Sequence, residues 1–159
     1  MARSGGSETI LSRKVRLKTT LFLRIASVLT IIHAVLHTIG GVLSKPNNGA
    51  PEIAIIDAMK SRAFDVMGSM RTYWDFFFAY GILVSITLLI QGILFWQLAT
   101  LAKTDAVRLK PILVLFTLNF LVTTVIAWRY FFFAPAVTEL LIAAFLGAAY
   151  FAASPKATA

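Results

Sequence analysis

Four long apolar runs decide what this chain can fold into. They cover residues 21–43, 73–102, 111–133 and 135–153, and at about 1.5 Å per residue each helix would cross a hydrocarbon layer of roughly 30 Å. The 159 residues are 58% hydrophobic and 14% charged, and a soluble domain of this length cannot bury so much apolar surface. The sequence therefore predicts an all-α, polytopic membrane four-helix bundle.

The distribution of Lys and Arg predicts how the four spans are oriented. Positive residues are frequent in the N-terminal segment 1–20 and in the loop between the second and third spans, which lie on one side of the membrane. The loop Ser44–Thr72 on the other side carries acidic residues that offset its positive charge. Because cytoplasmic loops carry the excess of Lys and Arg, we expect an N-in, C-in topology. Residues 1–20 would then be a basic cytoplasmic segment and 154–159 a cytoplasmic tail.

The outer loop Ser44–Thr72 is longer than a simple connection requires. Residues 45–49 are typical of a turn, and Pro51-Glu52 is typical of a helix start. Apolar residues then recur at helical spacing: Ile53, Ile56, Met59, Ala63 and Met67. We expect a short amphipathic helix here, between spans one and two, which lies on the outer surface or caps the bundle.

Helices in lipid associate through small and polar side chains, because lipid removes most of the hydrophobic drive between them. Such residues recur at helical spacing in all four spans: Ala26, Thr30, His33, His37, Gly40 and Ser44; Gly81, Ser85, Gly92 and Ala99; Asn119, Thr123, Ala127 and Tyr130; Glu139, Ala143, Gly147 and Tyr150. These stripes predict a bundle whose polar seam faces inward.

Several classes of function are excluded by what the sequence lacks. Without cysteine there is no disulfide, thiolate metal site, iron–sulfur cluster or cysteine nucleophile. No nucleophile motif, phosphate-binding glycine loop or paired-carboxylate signature is present, and no cofactor is predicted. The basic residues that give the chain its net charge of +8 flank the apolar runs. We therefore attribute this charge to membrane topology and predict no nucleic-acid partner.

Ionisable residues inside the spans are the candidates for a functional site, since such groups are costly in the membrane. His33 and His37 are four residues apart on one face of the first span, and Glu139 lies in the outer half of the fourth. Asp75 opens the second span and Arg129 closes the third at the same boundary. The predicted topology brings these five groups to similar depth, where they would line a ligand-binding pocket.

Three roles remain open for the two histidines. A metal ion could take His33 and His37 as ligands if Glu139 or Asp75 supplied a third. Haem b is disfavoured, because its axial histidines approach from opposite faces and these two share a helix. Without metal, an imidazole facing a carboxylate could relay protons or bind a polar headgroup or ligand. Alternatively, both histidines form hydrogen bonds within the bundle and only specify packing.

The segment Gly68–Phe77, GSMRTYWDFF, followed by an apolar helix ending in Trp96-Gln97-Leu98, resembles an uncharacterised family of small bacterial four-helix integral membrane proteins. The stretch Trp128–Phe132 followed by Pro135 is similar to that family too. The resemblance covers most of the chain from the first span onward, and implies a bacterial inner-membrane protein without supplying an activity. It directs attention to residues at the outer mouth of the bundle: Arg71, Tyr73, Trp74 and Asp75.

Three functions are therefore compatible with the sequence. The one favoured is binding of a small molecule, lipid or ion in the outer half of the bundle, by a set of residues that share that depth: His33, His37, Asp75, Glu139, Arg129, Arg71 and Tyr73. The second is a non-catalytic subunit or scaffold, which would associate with another membrane protein or a second copy of itself. The third is a membrane enzyme that acts on a lipid or quinone through an acid–base pair such as His37–Glu139.

Overall fold

The computed structural model describes residues 5–153, with side chains from Arg13 onward. These residues form five α-helices: α1 (Gly5–Leu36), α2 (Ala50–Ser61), α3 (Tyr73–Asp105), α4 (Lys110–Tyr130) and α5 (Phe133–Ala152). Two short strands, β1 (Phe64–Val66) and β2 (Ser69–Arg71), pair antiparallel. The predicted tail 154–159 and the first four residues of the predicted basic segment lie outside the described residues.

Four helical stretches are long and apolar enough to cross a membrane: Arg13–Val42, Tyr73–Asp105, Val107–Tyr130 and Phe133–Ala152. This confirms the predicted class, an all-α chain with four apolar helices compatible with a multi-pass membrane protein. The helix ends differ from those predicted. The first helix begins at Gly5 and includes much of the basic segment, because Lys and Arg are good helix formers.

The connection between α4 and α5 lies earlier than the sequence predicted. The backbone leaves the helical region at Phe131 (φ −116°, ψ −143°) and is extended at Phe132. Helix α5 then starts at Phe133 and takes Pro135 into its first turn, where a missing N–H has no helical partner to lose. Two residues therefore join two antiparallel helices.

The first span is not a uniform α-helix. At His37 the chain passes into a π-helical turn, His37–Val42, in which the N–H of Leu43 donates to the carbonyl of Thr38 at 2.9 Å. Turns of this kind are often found at functional positions in helices. His37 is the residue at which the turn begins.

The chain divides into two compact units. The first contains the residues up to His33 together with those from Ile90 onward, and the second contains Ala34–Leu89. Each unit is described by itself below.

In the first unit, segments of α1, α3, α4 and α5 pack around a shared apolar core. Phe95 on α3 contacts two rings of α4, Phe116 at 5.1 Å and Phe120 at 6.0 Å between centroids. Phe22 on α1 lies 6.3 Å from Phe145 on α5. Large side chains that are fully or almost fully buried fill the interior: Leu23, Phe95, Leu113, Phe120, Ile142 and Leu146.

The outward surfaces of these helices are apolar, as expected of helices in lipid. On α1 the side opposite the polar stripe is exposed, with Val28 at 46%, Ile32 at 47% and Val35 at 48%. On α4 the predicted stripe is wrong at two positions, Asn119 and Tyr130, which are both exposed. Asn119 is exposed and the adjacent Phe120 is buried, because the helix packs through its larger apolar ring.

In the second unit, the predicted loop helix is shorter than the spacing suggested. Helix α2 begins beside Pro51 but ends at Ser61, so Ala63 and Met67 lie beyond it. Met67 (φ 53°) and Gly68 (φ 85°) instead form the two-residue turn that joins β1 to β2. Positive φ at both central residues suits the right-handed twist of a two-residue hairpin. Every residue of α2 is at least partly exposed.

Candidate functional site

Glu139 is the one carboxylate among the described residues that is buried, at 9% exposure. It lies in α5, two turns after the helix start, on the face that also buries Ala136, Ile142 and Ala143. A buried carboxyl group requires hydrogen-bonding or charged partners. Both carboxyl oxygen atoms of Glu139 have such a partner.

His33 supplies the first partner. Its imidazole is also buried, at 8% exposure, and Nδ1 lies 3.6 Å from Oε1 of Glu139. That separation suits an ion pair and exceeds a direct hydrogen bond. The two side chains come from α1 and α5 and meet inside the first unit.

Thr123 supplies the second partner and was not singled out as one from the sequence. Its hydroxyl donates a hydrogen bond to Oε2 of Glu139 across the α4–α5 interface. The same hydroxyl lies 3.1 Å from the main-chain carbonyl oxygen of Phe120, its alternative acceptor. The signal was present in the sequence, because Thr123 belongs to the predicted polar stripe of its helix.

This arrangement can accommodate either protonation state of Glu139. When the carboxyl is ionised, the Thr123 hydroxyl donates to it, and a protonated His33 can balance its charge. When the carboxyl is protonated, its O–H can donate to the Thr123 oxygen while that hydroxyl turns toward the carbonyl of Phe120. No buried donor or acceptor of Glu139 or Thr123 is then left without a partner.

The helix that carries His33 is held close to α3. Ser27 donates a 2.6 Å hydrogen bond to the carbonyl of Gly92. A Cβ atom at Gly92 would lie 2.6 Å from Cγ1 of Ile31 and 3.3 Å from its main-chain nitrogen. Only glycine permits this approach. Ser27 and Thr30, both fully buried, lie on the same side of α1 as His33.

His37 has a different environment, within the second unit. Its Nε2–H donates to the carbonyl oxygen of Gly81 at 3.2 Å, and Ser85 donates to the same carbonyl at 3.1 Å. The imidazole therefore supports packing of the π-helical turn against α3, where a Cβ on Gly81 would come within 2.8 Å of Val42. Hydrogen bonding within the bundle is one of the three roles that the sequence left open for His37.

Asp75, predicted as a ligand-binding residue, caps the start of α3. Its Oδ2 accepts hydrogen bonds from the main-chain N–H of Thr72 (2.7 Å) and from the Thr72 hydroxyl (3.0 Å). The hydroxyl of Thr72 in turn lies 3.2 Å from the N–H of Asp75. This reciprocal pattern is a capping box. Thr72-Tyr73-Trp74-Asp75 carries its sequence signature.

The neighbours of Asp75 in the resemblance motif also stabilise this end of α3. The ring of Tyr73 lies 4.9 Å from that of Phe64 on β1, and the Lys60 ammonium group lies 4.4 Å from the Trp74 ring. The guanidinium group of Arg71 donates to the carbonyl of Met70 at 2.7 Å. These residues are exposed or half-buried, and the contacts they make are structural.

Two arginines of the first unit lie over aromatic rings. Arg129, one of the residues predicted to line the pocket, is exposed and has its guanidinium group 5.3 Å from the ring of Tyr130. Arg24 lies 4.8 Å from the ring of Trp96. Neither arginine is needed to explain the burial of Glu139, whose partners are His33 and Thr123.

Within residues 13–153, no group of three or more His, Cys, Asp or Glu side chains is placed to hold a metal ion. The proposed metal ligands His33, His37 and Glu139 thus gain no support from the geometry. Comparison with known proteins adds nothing to the site: no protein-family model, curated protein or solved structure matches this chain.

Proposed function

We propose that this chain is a multi-pass integral membrane protein of four spans, and that the pair His33–Glu139 inside it binds an exchangeable proton. The one observation that carries this proposal is the buried contact of 3.6 Å between Nδ1 of His33 and Oε1 of Glu139. An ionisable pair inside a membrane protein is costly to maintain and often serves proton or ion binding. The proposal narrows the predicted ion-binding function to one site.

The Thr123 hydroxyl allows the His33–Glu139 pair to gain or lose a proton while every buried polar atom of Glu139 and Thr123 keeps a hydrogen-bond partner. It has two acceptors within reach, Glu139 and the Phe120 carbonyl. A group that serves only packing needs one hydrogen-bonded state. A proton-binding group needs two states of comparable free energy, and this hydroxyl supplies a hydrogen bond in both.

The same proposal includes an N-in, C-in bundle in a bacterial inner membrane. The charge distribution supports the orientation, and the resemblance of Gly68–Phe77 supports the location. Helix α2 has exposed apolar side chains, with Ile53 at 48% and Ile55 at 62% exposure. It would then lie on the outward-facing surface of the inner membrane. Modification of single cysteines introduced at Ala2 and at Ser61, by a reagent that does not cross the membrane, tests the orientation in whole cells.

Nitrogen-15 NMR of histidine-labelled protein in lipid tests the proton site, since the chain has only two histidines. In the wild type we expect the His33 signals to change with pH, because the imidazole exchanges a proton. Glu139→Gln should shift that titration, because it removes the facing charge. His37→Gln assigns the signals and should leave the His33 titration unchanged.

The matched control is Glu52→Gln, which removes a half-buried carboxylate of the second unit. It should leave the His33 signals as they are. A His33 signal that does not titrate in the wild type, or that titrates identically in Glu139→Gln, would reduce the pair to a packing contact. Thr123→Val should also change the titration, because it removes one of the two hydrogen-bonded arrangements.

A second function, association with another membrane helix, is favoured by Asn119. This residue is exposed near the middle of α4, on a stripe whose other members are exposed too: Ile112, Leu115, Val122, Ile126 and Arg129. The stripe has the heptad spacing of a helix pair, and an asparagine at such a position selects a partner with a complementary amide. Because an amide carries both donor and acceptor, a second copy of α4 is complementary to it.

Crosslinking of single-cysteine variants in membranes tests this association. Cysteine at Val122 should crosslink to a second copy, and Asn119→Leu should abolish that crosslink, while Leu118→Ala should preserve it. Equal crosslinking in Asn119→Leu and the wild type would count against the self-association.

A further inference from the structure

A basic cavity opens at the end of the first unit where α1 enters it and α3 leaves it. Its volume is about 320 Å³, and it is lined by Arg13, Arg16, Leu17 and Thr20 of α1 and by Lys103 of α3. It shares no residue with the His33–Glu139 pair. Three of the five lining side chains are cationic.

The packing of α1 against α3 fixes which residues meet at this cavity. Ser27 contacts Gly92, and one turn earlier Arg24 contacts Trp96. In an antiparallel pair this register continues toward the start of α1, and it brings Lys103 level with Arg16. The cluster of positive charge therefore follows from the same close helix contact that Gly92 permits.

Within residues 13–153, no carboxylate forms an ion pair with the cationic groups of the cavity. Among the described side chains, the nearest acidic residue in sequence, Asp105, forms its ion pair with Arg108 at 2.9 Å. Three like charges held together cost free energy, and an anion bound between them would recover it.

Thr20 adds a hydrogen-bonding group of the kind that an oxyanion requires. Its side chain is 8% exposed and lines the cavity, and its hydroxyl has no hydrogen-bond partner among the described residues. A buried hydroxyl without a partner carries a desolvation cost. Leu17, 61% exposed beside it, offers an apolar surface next to the charged groups.

We infer that this cavity binds the phosphate group of an anionic phospholipid, with Arg13, Arg16 and Lys103 around the phosphate oxygens and the Thr20 hydroxyl donating to one of them. Arginine and lysine recognise phosphate through charge-assisted hydrogen bonds. A basic pocket between transmembrane helices, at the depth of the headgroups, is a known arrangement for such lipids. The inference rests on the proposed membrane insertion and is independent of the proposed proton site.

Lipid binding to the full chain can be counted by native mass spectrometry from detergent. We expect phosphatidylglycerol to bind more tightly than phosphatidylcholine. R13Q/R16Q should weaken phosphatidylglycerol binding about 25-fold, at about fivefold for each cation. The matched control K14Q/K18Q removes two positive charges from exposed positions on the same helix, and it should weaken binding by less than about threefold.

Thr20→Val separates a specific site from general electrostatic attraction, because it changes no charge. It should weaken phosphatidylglycerol binding about tenfold, as expected for a hydrogen bond to a charged group. Thr104→Val is its control, since that hydroxyl is exposed and already donates to the carbonyl of Leu101 at 2.8 Å.

Three results would overturn the inference. Equal losses in R13Q/R16Q and K14Q/K18Q would show general attraction to anionic lipid. Unchanged binding in Thr20→Val would show that the Thr20 hydroxyl does not donate a hydrogen bond to the phosphate. Displacement of the lipid by an equal concentration of inorganic phosphate would show a site for the free anion. The His33 titration in the same variants shows separately whether the proton site has failed.

Discussion

The hydroxyl of Ser27 and the main-chain carbonyl oxygen of Gly92 are 2.6 Å apart and buried, and they join α1 to α3 through one hydrogen bond. Without a side chain on Gly92, the main chain of α3 can approach α1 closely enough for this bond to form. The position of His33, two turns further along α1, depends on the same contact.

Gly92→Ala should destabilise the first unit by about 1–3 kcal/mol, because the added methyl group would overlap Ile31. Gly147→Ala is the matched control, since a Cβ there would lie 3.8 Å from Cγ2 of Thr117, an ordinary contact distance. Unfolding in mixed micelles with a rising fraction of SDS measures the difference. Equal stability of the two variants would contradict the close helix contact.

Ser27→Ala should destabilise the protein by about 0.6 kcal/mol, the average for a hydrogen bond between membrane helices. The Gly92 carbonyl also accepts within its own helix, so the loss is partial. Thr100→Val removes an exposed hydroxyl whose bond stays within α3, and it should change the unfolding midpoint much less. The prediction fails if Thr100→Val costs as much as Ser27→Ala.

Thr72→Ala should destabilise the start of α3 by about 1 kcal/mol, since it removes the hydroxyl of a capping box. Hydrogen exchange at the first amides of α3 should accelerate in this variant and in Asp75→Ala. The double variant should lose little more than either single one, because both break the same reciprocal pair. Strictly additive effects would show that the two residues act separately.

The Glu52 carboxylate should make the stability of the loop before α2 depend on pH. Its carboxylate accepts hydrogen bonds from the main-chain N–H of Asn48 (2.7 Å) and of Asn47 (2.8 Å). The bond from Asn48 has the largest effect, and together they hold the pKa of the Glu52 carboxyl below its ordinary value. The resulting stabilisation is complete above the pKa of the unfolded chain and is lost as the pH falls through the folded pKa.

Amide exchange at Asn47 and Asn48 should therefore accelerate at acidic pH, after correction for the intrinsic rate. Glu52→Gln should show the faster exchange already at neutral pH. Asp57→Asn, a change of charge in the same exposed helix, should leave these two amides unaffected. Unaltered protection in Glu52→Gln would rule out the carboxylate as their acceptor.

The helices were predictable because their apolar runs are long, whereas the side chains that meet between the helices were not. Topology placed Glu139 among the ionisable groups of the spans. Which of them it meets depends on the rotation of each helix, and a rotation of one residue, about 100°, changes the partner. The acid–base pair predicted from the sequence was His37–Glu139, whereas in the structure the partners of Glu139 are His33 and Thr123.

The hairpin between α2 and α3 escaped prediction for a different reason. Its strands have three residues each, too few for an alternating pattern to be read. Its turn places Met67 at positive φ, a position where asparagine or glycine would have been the recognisable signal. The capping box at Thr72–Asp75, in contrast, has a recognisable sequence signature, a threonine followed three residues later by an acidic residue.

The two-residue connection between α4 and α5 has a consequence for how the chain enters the membrane. If the proposed spans insert into a bilayer, two helices joined this closely would enter it together, as one hairpin. Thr123 and Glu139 lie on opposite arms of that hairpin. In such a hairpin the Glu139 carboxyl group would have the Thr123 hydroxyl as a hydrogen-bond partner before His33 is in place.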